Sequence, residues 1–152
     1  MPTTPPSDDR AEIDIAAPPE EVWDLVADVT RMGEWSPECY RCEWLDGGTG
    51  PRVGGSFKGW NRQGPLRWAT TSTVLESERG EVFSFVTKES AAQWAFHLSP
   101  TSGGGTHLVE TRTDGDKPLL ARIFFRIVPG RADRQRDGMQ ATLGRLKAAA
   151  EA

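Results

Sequence analysis

The chain is poor in the residues that staple or switch a small protein. Its 152 residues include two cysteines, two histidines, three methionines and one tyrosine. Two cysteines make no disulfide framework. The two histidines lie far from them, which leaves too few ligands for a structural zinc with its usual ~4. No apolar run approaches the roughly 18 residues of a membrane span, so integral membrane association is not expected. Residues 1–9 hold Pro, Thr, Ser and Asp with no apolar h-region. A secretory signal is therefore not expected, and the cytoplasm is the expected compartment. The chain carries no G-x-S-x-G, no P-loop, and no G-x-G-x-x-G on a strand-to-helix turn. Basic charge does not dominate either: 18 Lys and Arg face 22 Asp and Glu, a net charge of −4.

What remains is ordinary in bulk. Hydrophobic residues make up 37% and charged residues 26%, a globular balance. The length fits one domain, which buries roughly 70% of its unfolded surface and needs no metal or disulfide to hold a core. Tryptophan is the abundant oddity, with six Trp and six Phe against the single Tyr. Charge is uneven: residues 1–116 carry 10 basic and 19 acidic side chains, residues 117–152 carry 8 and 3. A basic end raises nucleic acid or an anionic membrane as partners. Its arginines Arg122, Arg126, Arg134 and Arg136 are spread around an apparent amphipathic helix, however, and the rest of the chain is acidic. No nucleic-acid partner is expected, and these side chains are read as solvated or as offsetting the acidic first helix.

Periodicity divides the chain. Residues 1–9 read as a disordered tail and 10–152 as one domain. Ala11, Ile13 and Ile15 alternate with Glu12 and Asp14, a half-buried strand. Pro18 and Pro19 open a helix whose first turns carry Glu20, Glu21 and Asp24, with Val22, Leu25, Val26 and Val29 as its apolar stripe. Gly33 and Pro37 then leave Trp35 in a short connection. From Glu38 to Asp114 the period is two, with turn signals at Asp46-Gly47-Gly48, Gly64-Pro65, Arg79-Gly80, Lys88-Glu89-Ser90 and Gly103-Gly104-Gly105. Six strands follow, one face of the first of them formed by Tyr40, Cys42 and Trp44. Leu120, Phe124, Ile127, Val128, Met139, Leu143, Leu146 and Ala150 return to helical spacing, interrupted at Pro129-Gly130. Between the apolar blocks the stripe runs Val128, Ala132, Gln135, Met139, with Gly138 beside it. A helix over a solid core wants large residues there; a helix over a cavity does not. The order predicts an α+β fold: a curved seven-stranded antiparallel sheet wrapped around a long C-terminal helix, with short helices after strand 1.

The face in phase across the strands gathers Trp44, Phe57, Trp68, Phe83, Phe85, Trp94 and Phe96. By itself this describes a packed aromatic core. Asn61, Thr70, Ser72 and Glu110 fall on the same face, and Arg112 follows Glu110 by two. Buried polar groups require mutual pairing, water or a ligand. Glu110 faces two opposing effects: desolvation raises its pKa, while Arg112 or donors such as Asn61 lower it. His97 and His107 point to the opposite face, which disfavours a His–Asp or Cys–His catalytic set. Cys39-Tyr40-Arg41-Cys42 is a C-x-x-C that enters a strand, where residues three apart face opposite sides. Cys42 is read as core filler and Cys39 as exposed, with no metal.

The span from Glu12 to Ala150 resembles the START-like helix-grip (SRPBCC) superfamily, in its polyketide cyclase/dehydrase-related branch. The residues that carry the likeness begin with Ile13-Asp14-Ile15-x-Ala17-Pro18-x-Glu20-x-Val22-Trp23 and Glu34-Trp35-Ser36-Pro37-Glu38. They continue with Phe57-x-Gly59-x-Asn61, Arg67-Trp68 with Val74, Phe83-x-Phe85 and Trp94-x-Phe96. Gly105-Thr106 with Glu110 and Leu143-x-x-Leu146-Lys147 complete the set. The resemblance implies a long hydrophobic cavity between sheet and C-terminal helix, with Asn61 and Glu110 looking inward and Trp35 near one end. The expected site is then Trp35, Trp44, Phe57, Asn61, Trp68, Thr70, Ser72, Phe83, Phe85, Trp94, Phe96, Arg112, Gln135 and Met139, with Glu110 as the acid/base candidate. The expected partner is a hydrophobic small molecule (lipid, aromatic or polyketide-like), with no cofactor. The alternative is an aromatase/cyclase-type enzyme that uses the same cavity.

Overall fold

The computed structural model describes residues 9–45, 50–114 and 131–152, the side chains of 131–135 excepted. Seven strands form one sheet: β1 (Asp9–Ile15), β2 (Cys39–Trp44), β3 (Ser56–Gln63), β4 (Leu66–Glu78), β5 (Val82–Thr87), β6 (Gln93–Pro100) and β7 (Thr106–Thr113). Their order is β1-β7-β6-β5-β4-β3-β2, and every adjacent pair is antiparallel. Helices α1 (Pro19–Ala27) and α2 (Met32–Trp35) follow β1, and α3 (Arg131–Ala150) ends the chain. This is the curved helix-grip sheet expected from the periodicity. The strand boundaries follow the turn residues, with Gly64 at φ 58° between β3 and β4 and Gly80 at φ 81° between β4 and β5.

Helix α1 starts where the sequence says it should. Pro18 is extended at the cap, Pro19 occupies the first turn, and Glu20 and Glu21 sit at the positive dipole end. Its buried face is wider than the expected stripe. Trp23 is buried beside Val22, Val26 and Ala27, while Leu25 is only half-buried. Trp23 Nε1 donates to the Val82 carbonyl at 2.9 Å, and its ring meets Phe83 edge-on at 6.4 Å. On the outer side, Arg79 donates two hydrogen bonds to Asp24, at 2.9 and 2.8 Å. That fork ties α1 to the β4–β5 turn and holds the Asp24 carboxyl below its usual range.

Helix α3 lays Met139, Leu143 and Leu146 into the core, all fully enclosed. Its C-terminal half is fixed by polar contacts to backbone. Lys147 Nζ donates to the Asp14 carbonyl at 2.9 Å, and Glu151 accepts the Ala16 N–H at 2.8 Å. Arg145 donates to the Trp35 carbonyl at 3.1 Å, where it meets a free acceptor at the end of α2. Several expectations lie outside the described residues: the tail before Asp9, the Asp46-Gly47-Gly48 turn, and Leu120, Arg122, Phe124, Arg126, Ile127, Val128 and Pro129-Gly130. The side chains of Ala132, Arg134 and Gln135 lie outside them too. Asp9, read as part of the tail, belongs to β1, opposite Arg112. No described helix is long and apolar enough to cross a membrane.

Two glycines test how closely the elements approach. A Cβ on Gly33 would stand 2.6 Å from the Tyr40 carbonyl oxygen, a contact with backbone that cannot swing away. A Cβ on Gly59 would meet Thr70 Oγ1 at 3.5 Å and Cys39 Sγ at 3.6 Å, ordinary contacts. Gly33→Ala should therefore lower stability in urea by about 1–3 kcal/mol. Gly59→Ala should change it by less than about 1 kcal/mol. Equal losses at both positions would contradict this packing.

Candidate functional site

Residues opposite one another in an antiparallel sheet share a face, so the register itself assembles the inner wall. One layer runs Trp44, Phe57, Ser72, Thr87, and another joins Cys39, Asn61 and Trp68. Toward the other edge, Phe85, Trp94, Arg112 and Asp9 form a layer, and Phe83, Phe96, Glu110 and Ala11 form the next. The expected wall residues Trp44, Phe57, Asn61, Trp68, Thr70, Ser72, Phe83, Phe85, Trp94, Phe96, Glu110 and Arg112 thus lie on one face. Met139 packs into the same core from α3, and Trp35 is buried at the end of α2.

The wall is not uniform. Phe57, Phe83, Phe85 and Phe96 are enclosed, whereas Trp44 and Trp94 keep part of their surface open. Edge-on contacts link Trp44 to Phe57 at 5.6 Å and Phe57 to Phe85 at 5.0 Å, and Phe85 tilts on Phe83 at 5.9 Å. Trp68, expected among the lining aromatics, is 38% exposed. It lies at the β3–β4 turn end of the sheet, near the exposed Leu66, so it forms a rim and not an inner surface.

The polar residues of the wall divide into two groups. Ser72 and Thr87 share a hydrogen bond at 3.0 Å, and Asn61 donates to Thr70 at 3.4 Å. These four satisfy one another. Glu110 does not follow them: it is 4% exposed, and its Oε1 has no hydrogen-bond partner among the described residues. Burial alone pushes its pKa up to about 8. Arg112, weighed above as the counter-charge, is committed elsewhere. Its guanidinium meets Asp114 at 2.8 Å and Asp9 at 3.5 Å and stacks 5.7 Å from the Trp94 ring. Desolvation therefore decides the state of Glu110. Arg112 Nε is itself buried without a described partner.

The family described as "Polyketide cyclase / dehydrase and lipid transport" matches residues 10–151. The chain belongs to this family. No curated protein is similar to it at a significant level. Among solved structures, the Polyketide_cyc-like protein Cgl2372 from Corynebacterium glutamicum is 31% identical, with 92% of this chain and 88% of that one covered at a TM-score of 0.64. Protein CV1439 from Chromobacterium violaceum is 22% identical, with coverage of 94% and 96% and a TM-score of 0.71. The di-domain ARO/CYC StfQ from the steffimycin biosynthetic pathway is 16% identical at a TM-score of 0.63; the match covers 93% of this chain and 44% of StfQ. The last two share the fold and carry no more than that.

Within this polyketide cyclase/dehydrase-family fold, three expected placements are corrected. A β-bulge between Cys39 and Arg41 shifts the β2 register, so Cys39 turns inward beside Cys42 and Tyr40 turns outward. Both thiols are free and buried, and they pack over Gly59. Cys39 Sγ donates to the Arg41 carbonyl at 3.2 Å, and the Cys42 thiol beside it lowers the pKa of Cys39, while Cys39 and burial raise that of Cys42. Gly138, read as facing a void, has Pro37 Cγ 3.4 Å from its Cβ position, so its small size serves a seam with the α2–β2 connection. The first helix hides Trp23, which the stripe left out. The histidines lie as expected: His107 is on the outer face, 2.6 Å from Asp14. Among the described residues, no three His, Cys, Asp or Glu side chains converge as a metal site.

The state of Glu110 has a consequence for stability. Its carboxyl is ordinarily near 4.5 and is raised to about 8 in the folded chain. Between those values the folded chain holds a proton that the unfolded chain has lost, so stability falls as pH rises through the window. The full effect is on the order of a few kcal/mol. Urea midpoints should drop between pH 5 and pH 8.5 in the native chain and much less in Glu110→Gln. Parallel curves would show that Glu110 ionises normally. Cys39→Ser buries a hydroxyl in place of a thiol and should cost about 1 kcal/mol or more; an unchanged melting temperature would place Cys39 at the surface after all.

Proposed function

We propose that this protein binds a hydrophobic small molecule, a lipid or an aromatic or polyketide-like compound, between the sheet and α3. The observation that carries the reading is Glu110. The Ser72–Thr87 and Asn61–Thr70 pairs on the inner wall are closed by the chain itself, while this carboxyl is enclosed beside aromatics and left without a described partner. An apolar surface with a few convergent polar groups is the general form of a small-molecule site. Trp44 and Trp94, partly open on the same wall, supply apolar contact. Trp35, Phe57, Phe83, Phe85, Phe96 and Met139 enclose the site, while Asn61, Thr70 and Ser72 shape its far side. Gln135 is assigned to it on its helical position alone. The protein acts in the cytoplasm, with no nucleic-acid partner.

A second reading, an aromatase/cyclase-type enzyme, is favoured by the same carboxyl. A buried acid that titrates near neutrality is placed to give or take a proton during enolisation of a poly-β-keto chain. In that case Glu110→Gln should lower turnover by about two to four orders of magnitude with the fold intact.

The neutral dye prodan tests the binding reading. It should bind the native chain with one-to-one stoichiometry and quench tryptophan emission, and Trp94→Phe should reduce the quenching. Binding confined to partly unfolded protein would show that the aromatics form a solid core and would refute the reading.

A further inference from the structure

Glu110 and Arg112 occupy consecutive inward positions of β7, roughly 7 Å apart along the strand. Each is 4% exposed, and each leaves one polar atom without a described partner, Glu110 Oε1 and Arg112 Nε. We propose that these two groups act as a pair of hydrogen-bond donors selecting uncharged hydrophobic ligands that carry a carbonyl or ether oxygen, and excluding carboxylates. The inference rests on the binding reading above and adds the charge and polarity of the ligand to it.

The argument is one of charge. An arginine on a cavity wall would ordinarily invite a carboxylate. Here both terminal nitrogens of Arg112 are already engaged, Nη1 by Asp9 and Nη2 by Asp114. The Nε–H has no described partner, on a cation whose charge is met by two carboxylates. A ligand carboxylate would also have to sit beside Asp9, Asp114 and Glu110, with no unpaired cation to repay its desolvation among the described residues. A neutral oxygen needs only one N–H or O–H.

Glu110 supplies the second donor because nothing described around it stabilises its anion. Across β6 it faces Phe96, and across β1 it faces Ala11. From α3 the enclosed side chains are Met139, Leu143 and Leu146, with Thr142 the polar one, its hydroxyl bonded to the Gly138 carbonyl. Arg136 and Asp137 of α3 are exposed. Two positions along β7, Arg112 is held by Asp9 and Asp114. A carboxyl in such a place keeps its proton and donates it.

Three probes of one ring system test this on the full chain by tryptophan quenching and calorimetry: 2-acetonaphthone, 2-ethylnaphthalene and 2-naphthoate. At pH 7 the ketone should bind about tenfold tighter than the hydrocarbon, the worth of one net hydrogen bond. The naphthoate should bind at least tenfold more weakly than the ketone. The ketone's advantage should shrink at pH 9.5, where Glu110 ionises, and fall in Glu110→Leu to what the Arg112 Nε–H alone supplies, while the hydrocarbon still binds. Glu110→Gln, which keeps an N–H donor, should retain the preference and lose its pH dependence, so the proposal stays testable if the leucine variant fails to fold. Tightest binding by naphthoate, or equal binding of ketone and hydrocarbon, overturns the inference and leaves the binding site standing. No binding by any of the three overturns the binding reading itself.

Discussion

A seven-stranded sheet with one buried face needs more cover than one helix can give. Strands stand about 4.8 Å apart, so seven span roughly 29 Å, while a helix with its side chains covers about 10 Å. The chain meets this mismatch in three ways. It bends the sheet, with register shifts at Cys39/Arg41 and Val74/Glu76. It covers the side of β5 and β6 with α1 through Trp23, Val22 and Val26. It fills the remainder with rings, which carry more area per residue than any aliphatic side chain. The inward-facing rings of Trp44, Phe57, Phe83, Phe85, Trp94 and Phe96 answer that shortage of cover. The linked contacts from Trp44 through Phe57 and Phe85 to Phe83 and Trp23 are the structural form of that answer.

The same shortage sets where polarity is allowed. Strand β7 runs inward from Thr106 and Leu108 to Glu110 and Arg112. At its start Thr106 donates to the Ala17 carbonyl at 2.7 Å, under the closed end of the grip where α3 is bonded to β1. At its far end Arg112 needs two carboxylates and an aromatic face to remain buried. Asp9 supplies one of the carboxylates, so the first residue of β1 is part of the wall and not an approach to it. Glu110 lies between these two ends, past the aliphatic layer and short of the charged one.

Much of this was legible because a strand's side chains alternate strictly. Period two placed Phe57, Phe83, Phe85, Trp94, Phe96 and Glu110 on one face without any tertiary information, and helical spacing found Met139, Leu143 and Leu146. What escaped notice broke the period or depended on distant partners. One bulged residue at Tyr40 reverses the facing of Cys39, and nothing in the tetrapeptide announces it. Trp68 keeps its phase and is nonetheless open, because phase says which side a residue faces and not how far it lies from the end of a hairpin. Arg112 is adjacent to Glu110 on the face, yet its partners are Asp9, about a hundred residues away, and Asp114, beyond the last strand residue. Trp23 fell beside a stripe traced too narrowly on a short helix. Its signal was available in the indole N–H, which asks for an acceptor when buried and finds the Val82 carbonyl.

Whether Glu110 belongs to the fold or to a ligand can be argued from its neighbours. A chain that needs polar groups on this wall for structural reasons has a ready solution: Ser72 faces Thr87, and Asn61 reaches Thr70, each pair one strand apart. The same solution was open to Glu110, whose cross-strand neighbours are Phe96 and Ala11; a threonine or serine at either place would face it on the same side of the sheet. Neither is present, and the Arg112 guanidinium two positions along the strand is held by two other carboxylates. A leucine at position 110 would bury apolar surface at no electrostatic cost. The carboxyl is therefore not explained by packing or by pairing within the described chain, and it stays protonated at a cost to stability that grows toward alkaline pH. Groups that weaken a fold without compensation inside it concentrate where a protein meets something else. On this wall the group that fits this description is Glu110, between Leu108 and Arg112 on β7.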